Sequence, residues 1–289
     1  MIRTGALTEA AMPYKTILVH LDVGARVGAR LDLACRLAGR FDAHLVGVHA
    51  LTEIRLPGYA AVMTGQSDQL AEFQAHAATE LRERSEALFR KRVQAAGLTK
   101  TEYRASSADV LQAVPLHARY ADLIVAGQPD EKDASGVEPD FVGRLLLAAG
   151  RPILVVPYAG SFADTGKRVL VAWNASREAT RALTDSIPLL REAEAVHVIA
   201  FDPAAAAHGE VPGADIGLYL ARHGIKVTVS QQSAPDVDVG NQLLSRAADL
   251  NADLIVMGAW GHSRLQELVM GGVTQTILQS MTVPVLLSH

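Results

Sequence analysis

The sequence is poor in cysteine, in aromatic residues and in long apolar runs, and neither sign of charge dominates it. Its 289 residues include a single cysteine, Cys35. One thiol excludes a disulfide framework within the chain and fits a reducing compartment. No apolar run reaches the roughly 18 residues of a spanning helix. Residues 1–13 lack the basic start and apolar centre of a secretory signal, so a cytoplasmic protein without a membrane partner is expected. Lys and Arg number 27 against 31 Asp and Glu. That balance offers no clustered cations for phosphate backbones, and no nucleic-acid partner is expected. What the chain does have is apolar material, 49% of it, enough for one large core or two smaller ones.

The organisation is a repeat. KTILVHLD from Lys15 returns as KRVLVAWN from Lys167, ADLIVAG from Ala121 as ADLIVMG from Ala252, and RPILVV from Arg151 as VPVLLS from Val283. Three apolar blocks recurring in the same order indicate a duplicated domain. The offset shrinks from 152 residues in the first block to 131 in the second, so the first copy carries an insertion. The small, polar stretch YAGSFADTG at 158–166 reads as the linker. Two domains are therefore expected, 1–160 and 161–289.

Each half alternates short apolar runs with helical patterns, as βαβ units around a parallel sheet do. Strands are expected at 15–21, 43–50, 101–105, 122–127 and 152–156, then at 167–173, 195–201, 225–230, 253–258 and 284–287. Helices fit 26–40, 67–96, 108–120 and 141–149, then 176–192, 214–223, 237–250 and 273–280. The insertion lengthens the helix at 67–96, whose charged amphipathic sequence reads as a solvated helix with one buried stripe.

In open parallel sheets ligands sit beyond the carboxyl ends of the strands, where strand order reverses. After the fourth strand of the second half, Gly258, Gly261, Gly271 and Gly272 let the backbone approach a ligand, and a helix begins just after them. Its free N–H groups make a phosphate cradle, to which His262, Ser263, Arg264 and Thr274 could add donors. The plain alternative is a cap at Gly258 and a turn at Gly261, with no ligand.

The spacing G-x2-G-x9-G at Gly258, Gly261 and Gly271 resembles the nucleotide loop of the universal stress protein family. So do the opening KRVLVAWNASREATRAL, the stretch NADLIVMG and the closing TVPVLLS. Both halves resemble that domain, and the chain looks like a tandem member. The resemblance implies two open five-stranded parallel α/β sheets of order 3-2-1-4-5, Rossmann-like and flanked by helices. It also implies an ATP-type adenine nucleotide, with or without magnesium. Carried over, its site is Ala172, Trp173, Asn174 and Phe201 around the base and sugar, and Gly258, Gly261, Gly271, Gly272 and Val273 around the phosphates. Two positions depart from the family pattern: Asn174 replaces an acid, and Gly272 replaces a hydroxyl residue. Each change removes about one hydrogen bond, worth about 0.5–1.5 kcal/mol, which weakens binding without forbidding it. Trp173 either stacks on the base or fills the base pocket.

The first half departs further. It keeps Asp22 at the strand end, but its loop runs GQPDEKDASGVEPD from Gly127 to Asp140. Pro139 stands where Gly271 does and Asp140 where Gly272 does. Asp130, Glu131, Asp133, Glu138 and Asp140 would repel phosphate, and Asp140 reads as a helix N-cap. Nucleotide binding in the family manner is not expected here.

Other motifs are set aside. Gly24 and Gly28 do not make a dinucleotide turn, and neither a P-loop nor a nucleophile elbow occurs. His44 and His49, five apart, fall on opposite faces of a regular strand. His20 reads as a hydrogen-bonded core histidine and Cys35 as an inert buried thiol. No catalytic acid–base pair and no metal-ligand set stand out. Three functions remain: a stress-response module that binds an adenine nucleotide in its second domain, an interaction module holding no nucleotide or another small ligand, and a slow ATPase. Family resemblance further implies that the last strands, 153–156 and 285–287, pair within one chain as a pseudo-dimer, with further homodimerisation open.

Overall fold

The computed structural model describes residues 13–51, 67–130, 132–133, 136–201, 213–232, 238–259 and 272–289. The chain divides into two compact units, Thr16–Ala163 and Asp164–His289, the latter taking Met1–Lys15 with it. In the first unit the order along the chain is β1 (Thr16–Leu21), α1 (Val27–Phe41), β2 (His44–Leu51), α2 (Ser67–Ala95), β3 (Thr101–Asp109), α3 (Val110–Ala118), β4 (Leu123–Gly127), α4 (Phe141–Ala149) and β5 (Ile153–Val156). Its strands pair in parallel in the order β3-β2-β1-β4-β5.

The second unit repeats the pattern with β6 (Arg168–Trp173), α5 (Arg177–Arg191), β7 (Ala195–Phe201), α6 (Ala214–Arg222), β8 (Val227–Gln232), α7 (Val239–Asp249), β9 (Leu254–Gly258), α8 (Gly272–Ser280) and β10 (Val285–Ser288). Here the parallel order is β8-β7-β6-β9-β10. Both sheets thus have the expected 3-2-1-4-5 arrangement. Both reverse strand order between their first and fourth strands, which places a crevice at the ends of β1 and β4 and another at the ends of β6 and β9.

The central strands are apolar on both faces because helices cover both. Ile17, Val19, Leu123, Ile124 and Val125 are all fully buried, as are Val169, Leu170, Leu254 and Ile255. The repeated Ala-Asp-Leu-Ile-Val block also ties each sheet to its own beginning. Asp122 accepts from the Thr16 N–H at 2.9 Å, and Asp253 accepts from the N–H groups of Gly166, Lys167 and Arg168. A carboxylate that satisfies the open end of a first strand explains why the motif occurs twice.

Helix α2 is solvated apart from a stripe of Ser85, Phe89 and Val93, four residues apart each time. Cys35 is buried on α1, and burial beside Asp32 pushes its thiol up to about 11. The largest departure from expectation is β3, which continues to Asp109 after a register shift between Ala50 and Leu51. Its half-exposed, polar second part (Ser106, Ser107) has no apolar run to announce it. Among the described residues no helix is long and apolar enough to cross a membrane.

Candidate functional site

In the second unit β6 ends at Trp173 and turns into α5 within three residues. Asn174 Oδ1 accepts from Ser176 N at 3.1 Å, Ala175 takes a left-handed φ of 56°, and Ser176 Oγ caps α5 by accepting from Ala179 N at 3.1 Å. The side-chain oxygen of Asn174 therefore closes its own turn. Ala172 and Trp173 are half-buried and Asn174 is exposed.

Gly258 closes β9. A Cβ there would run into the backbone nitrogen of Ala179 and the carbonyl carbon of Glu178, so its first duty is to let the opening turn of α5 lie against the strand end. Beyond it, Ala259 N donates to Ser288 O at 3.0 Å, and Ser288 Oγ donates to Asp185 of α5 at 2.9 Å. Helix α8 opens on an exposed Gly272 with no described atom within 4 Å of where a Cβ would stand. Val273 is half-buried, whereas Thr274 is buried at 3% exposure. Its hydroxyl therefore faces the packed side of the helix, leaving the backbone N–H groups of the first turn as donors. Gly261, His262, Gly271 and the side chain of Phe201 lie outside the described residues.

The same place in the first unit is built differently. Asp22, one residue beyond β1, accepts from Gly24 N at 3.0 Å, the counterpart of the Asn174 turn. It also meets the Arg30 guanidinium of α1 at 2.8 Å, with the two side chains only 6% and 4% exposed. Gly127 ends β4 as Gly258 ends β9, but a Cβ on it would overlap Arg30 Nη1. The remaining space, lined by Asp22, Arg30, Gly127, Gln128, Asp133 and Tyr158, is about 30 Å³, room for a water or two. Asp133 Oδ2 accepts from Ala25 N at 2.8 Å and draws the acidic loop over the crevice.

Burial works to raise the Asp22 pKa. The Arg30 charge 2.8 Å away, His20 and the Gly24 N–H outweigh it and hold the carboxyl below its ordinary range. His20, at the end of β1, packs on Phe141 with ring centroids 4.9 Å apart. Burial pushes it down to about 3, against the pull of Asp22 and with the help of Arg30 and His49. It is a core histidine, but its Nδ1 has no hydrogen-bond partner among the described residues, so the expectation of a bonded one is corrected. His49, by contrast, places Nδ1 2.9 Å from Leu21 O, and His44 lies half-buried on the other face of β2. Asp140 occupies the N-cap of α4, yet its side chain makes no capping bond. With a backbone already near helical values, it leans 3.7 Å from Arg144 instead.

Sequence reasoning missed Arg30. The signal was present: Arg30 shares one helical face with Ala34, Leu37 and Phe41, all buried. A charge at an apolar position of an otherwise regular stripe asks for a buried partner.

A larger opening lies elsewhere. A groove of about 890 Å³ runs between α6 and β8, lined by Gly213, Gly217, Ala221, Val227 and Val229. By strand register Val229 corresponds to Tyr103, which in the first unit stacks on Phe89 at 5.9 Å. Smaller side chains thus leave the groove open at the sheet edge, away from the crevice at the ends of β6 and β9.

Comparison with known proteins agrees with this architecture. A universal stress protein from Archaeoglobus fulgidus superposes with a TM-score of 0.73 at 17% identity, covering 94% of this chain and 97% of its own. A Pseudomonas aeruginosa protein described as a candidate universal stress protein gives 0.59 at 18%, covering 95% and 93%. A protein of unknown function from the same organism gives 0.57 at 18%, covering 95% and 92%. At these identities the likeness establishes the fold alone. A search of curated proteins finds no significant match. A sequence profile described as the universal stress protein family matches residues 166–289. That match falls on the second unit and spans all but the first two residues of its Asp164–His289 segment.

Proposed function

We propose that the second unit binds an adenine nucleotide of the ATP type, one per chain, and acts as a binding module rather than as a catalyst. The observation that carries this reading is the absence of the filling pair. Ala182 and Asn174 stand 152 residues after Arg30 and Asp22, so among the described residues no buried guanidinium pairs with the turn after β6. An exposed Gly272 opening α8 supports it, because a helix N-terminus with no side chain in the way suits a phosphate. The family match over 166–289 gives the same direction. No side chain among the described residues near this crevice is placed to activate water, so slow hydrolysis is not part of the reading.

Titration of the nucleotide-stripped protein with Mg-ATP in a calorimeter tests this. One site per chain is expected, accompanied by a change in tryptophan fluorescence, since both tryptophans, Trp173 and Trp260, belong to the second half. Two sites would refute the assignment of the first unit. Absence of heat and of any fluorescence change would favour the competing reading, in which the half-buried Trp173 fills the base pocket itself.

A further inference from the structure

We propose that the crevice of the first unit is a cation site that carries its own occupant: the Arg30 guanidinium is the built-in ligand and Asp22 its receptor. Two observations converge on it. The guanidinium lies 2.8 Å from a carboxylate at the strand-order reversal, both groups almost fully buried. Gly127 is the residue whose missing side chain makes the space for Arg30 Nη1.

The pair is not required by the fold. Ala182 and Asn174 hold the same helix and turn positions in the second unit, where the turn and the strand order are the same. Nor is a buried ion pair an efficient source of stability, because desolvation of both charges consumes most of their attraction. Arg30 Nε and Nη2, moreover, make no hydrogen bond among the described residues, although Nη2 lies 2.8 Å from Asp22 Oδ1. The arginine is thus best understood as what it displaces. It fills the position where an open sheet of this order would take a ligand, and apart from Arg30 itself the charged lining is Asp22, Asp130 and Asp133 against Arg26 alone, a balance that favours positive charge over phosphate.

Truncation to Arg30→Ala should turn the built-in occupant into an exchangeable one. Ethylguanidinium replaces the atoms removed beyond Cβ and is the probe. In the full chain, Arg30→Ala should lower the melting temperature of the first unit by about 10 °C, because it strands a buried carboxylate. Circular dichroism follows both units, and tryptophan fluorescence follows the second alone and should not move. Ethylguanidinium at tenfold its apparent Kd should return about 4 °C to Arg30→Ala and nothing to the unaltered protein. Ethylammonium and urea at equal concentration should return less.

The double variant Asp22→Asn/Arg30→Ala, which copies the second unit, should fold, melt above either single variant and ignore ethylguanidinium. It keeps the test decisive even where Arg30→Ala alone does not fold. An Arg30→Ala protein as stable as the original would overturn the proposal, and so would rescue that survives Asp22→Asn. A second Mg-ATP site appearing in Arg30→Ala would overturn it as well, since the opened crevice would then prefer anions. These outcomes are separable from failure of nucleotide binding in the second unit, which is read in the unaltered protein.

Discussion

The two units make the same strand-to-helix turn from different charges. After β1 the turn is closed by Asp22 and backed by Arg30; after β6 it is closed by Asn174 and backed by Ala182. In each case one side-chain oxygen accepts from the N–H two residues on, so the turn needs an oxygen but not a charge. What changes is whether a second charge must be buried to satisfy the first. Acid and base stand together in one unit, and amide and methyl stand together in the other. A mixed pair would leave one ion buried without compensation, costing about 3–5 kcal/mol. The lesson is that the crevice has two self-consistent states, filled and uncharged, and that the pair must be read jointly.

The sharpest way to break that symmetry is to mix the pairs. Asp22→Asn alone should destabilise the first unit by about 3–5 kcal/mol, whereas Asn174→Asp, exposed and with no buried arginine behind it, should cost less than 1 kcal/mol. Chemical denaturation of the two variants, read by circular dichroism, measures the contrast. Equal losses in the two would show that burial of Asp22 contributes nothing particular.

The paired glycines come next. Gly258→Ala drives a methyl into the backbone of Ala179 and Glu178, which cannot step aside, so a loss of about 3 kcal/mol is expected in the second unit. Gly127→Ala meets only the tip of Arg30, and about 2 kcal/mol is expected. Combining Gly127→Ala with Arg30→Ala should remove most of the glycine's effect, a non-additivity that Gly258→Ala cannot show with any side-chain truncation. Additive losses at Gly127 and Arg30 would mean that the two do not share the space.

How much of this was legible beforehand depends on where the information lay. The strands could be read because Leu-Ile-Val runs without polar alternation fit only doubly covered sheets, and because the runs occur twice in the same order. The second half of β3 could not, since Ser106 and Ser107 carry no apolar pattern and their pairing follows a register shift. Asn174 and Gly258 were legible as crevice residues but not in their roles. One closes a turn and the other admits a helix, duties set by backbone geometry that spacing alone does not reveal. Arg30 was hidden by averaging, because a helix with one charge in its stripe still reads as amphipathic.

A third contrast is in pH. His20 holds its folded pKa near 3 against an ordinary 6.5. The unfolded chain therefore takes up a proton below pH 6.5 that the folded chain refuses. The stability this neutral histidine contributes is complete above pH 6.5 and falls as pH drops towards 3. Between pH 6.5 and 5 the loss is about 2 kcal/mol. Asp22, depressed rather than raised, loses its contribution only further down, as pH falls below the ordinary carboxylate range. Melts at pH 7 and pH 5 should show the first unit losing stability, and His20→Gln should flatten that slope whatever it does to absolute stability. An unchanged slope in His20→Gln would move the proton uptake elsewhere.

The smallest expected difference lies in the helix caps. Ser176 begins α5 with extended backbone angles and an Oγ that accepts from Ala179 N, so Ser176→Ala should cost about 1 kcal/mol. Asp140 stands at the corresponding boundary of α4 and its sequence suggests the same duty, but its φ of −91° and ψ of 0° point the carboxylate away from the first-turn N–H groups. Its interaction with Arg144, at 3.7 Å between two well-exposed side chains, is worth a few tenths of a kcal/mol at most. Asp140→Ala should therefore be close to neutral. A loss near 1 kcal/mol that persists in high salt would mean that the carboxylate does cap α4 in solution, because screening removes an exposed ion pair and leaves a capping hydrogen bond in place.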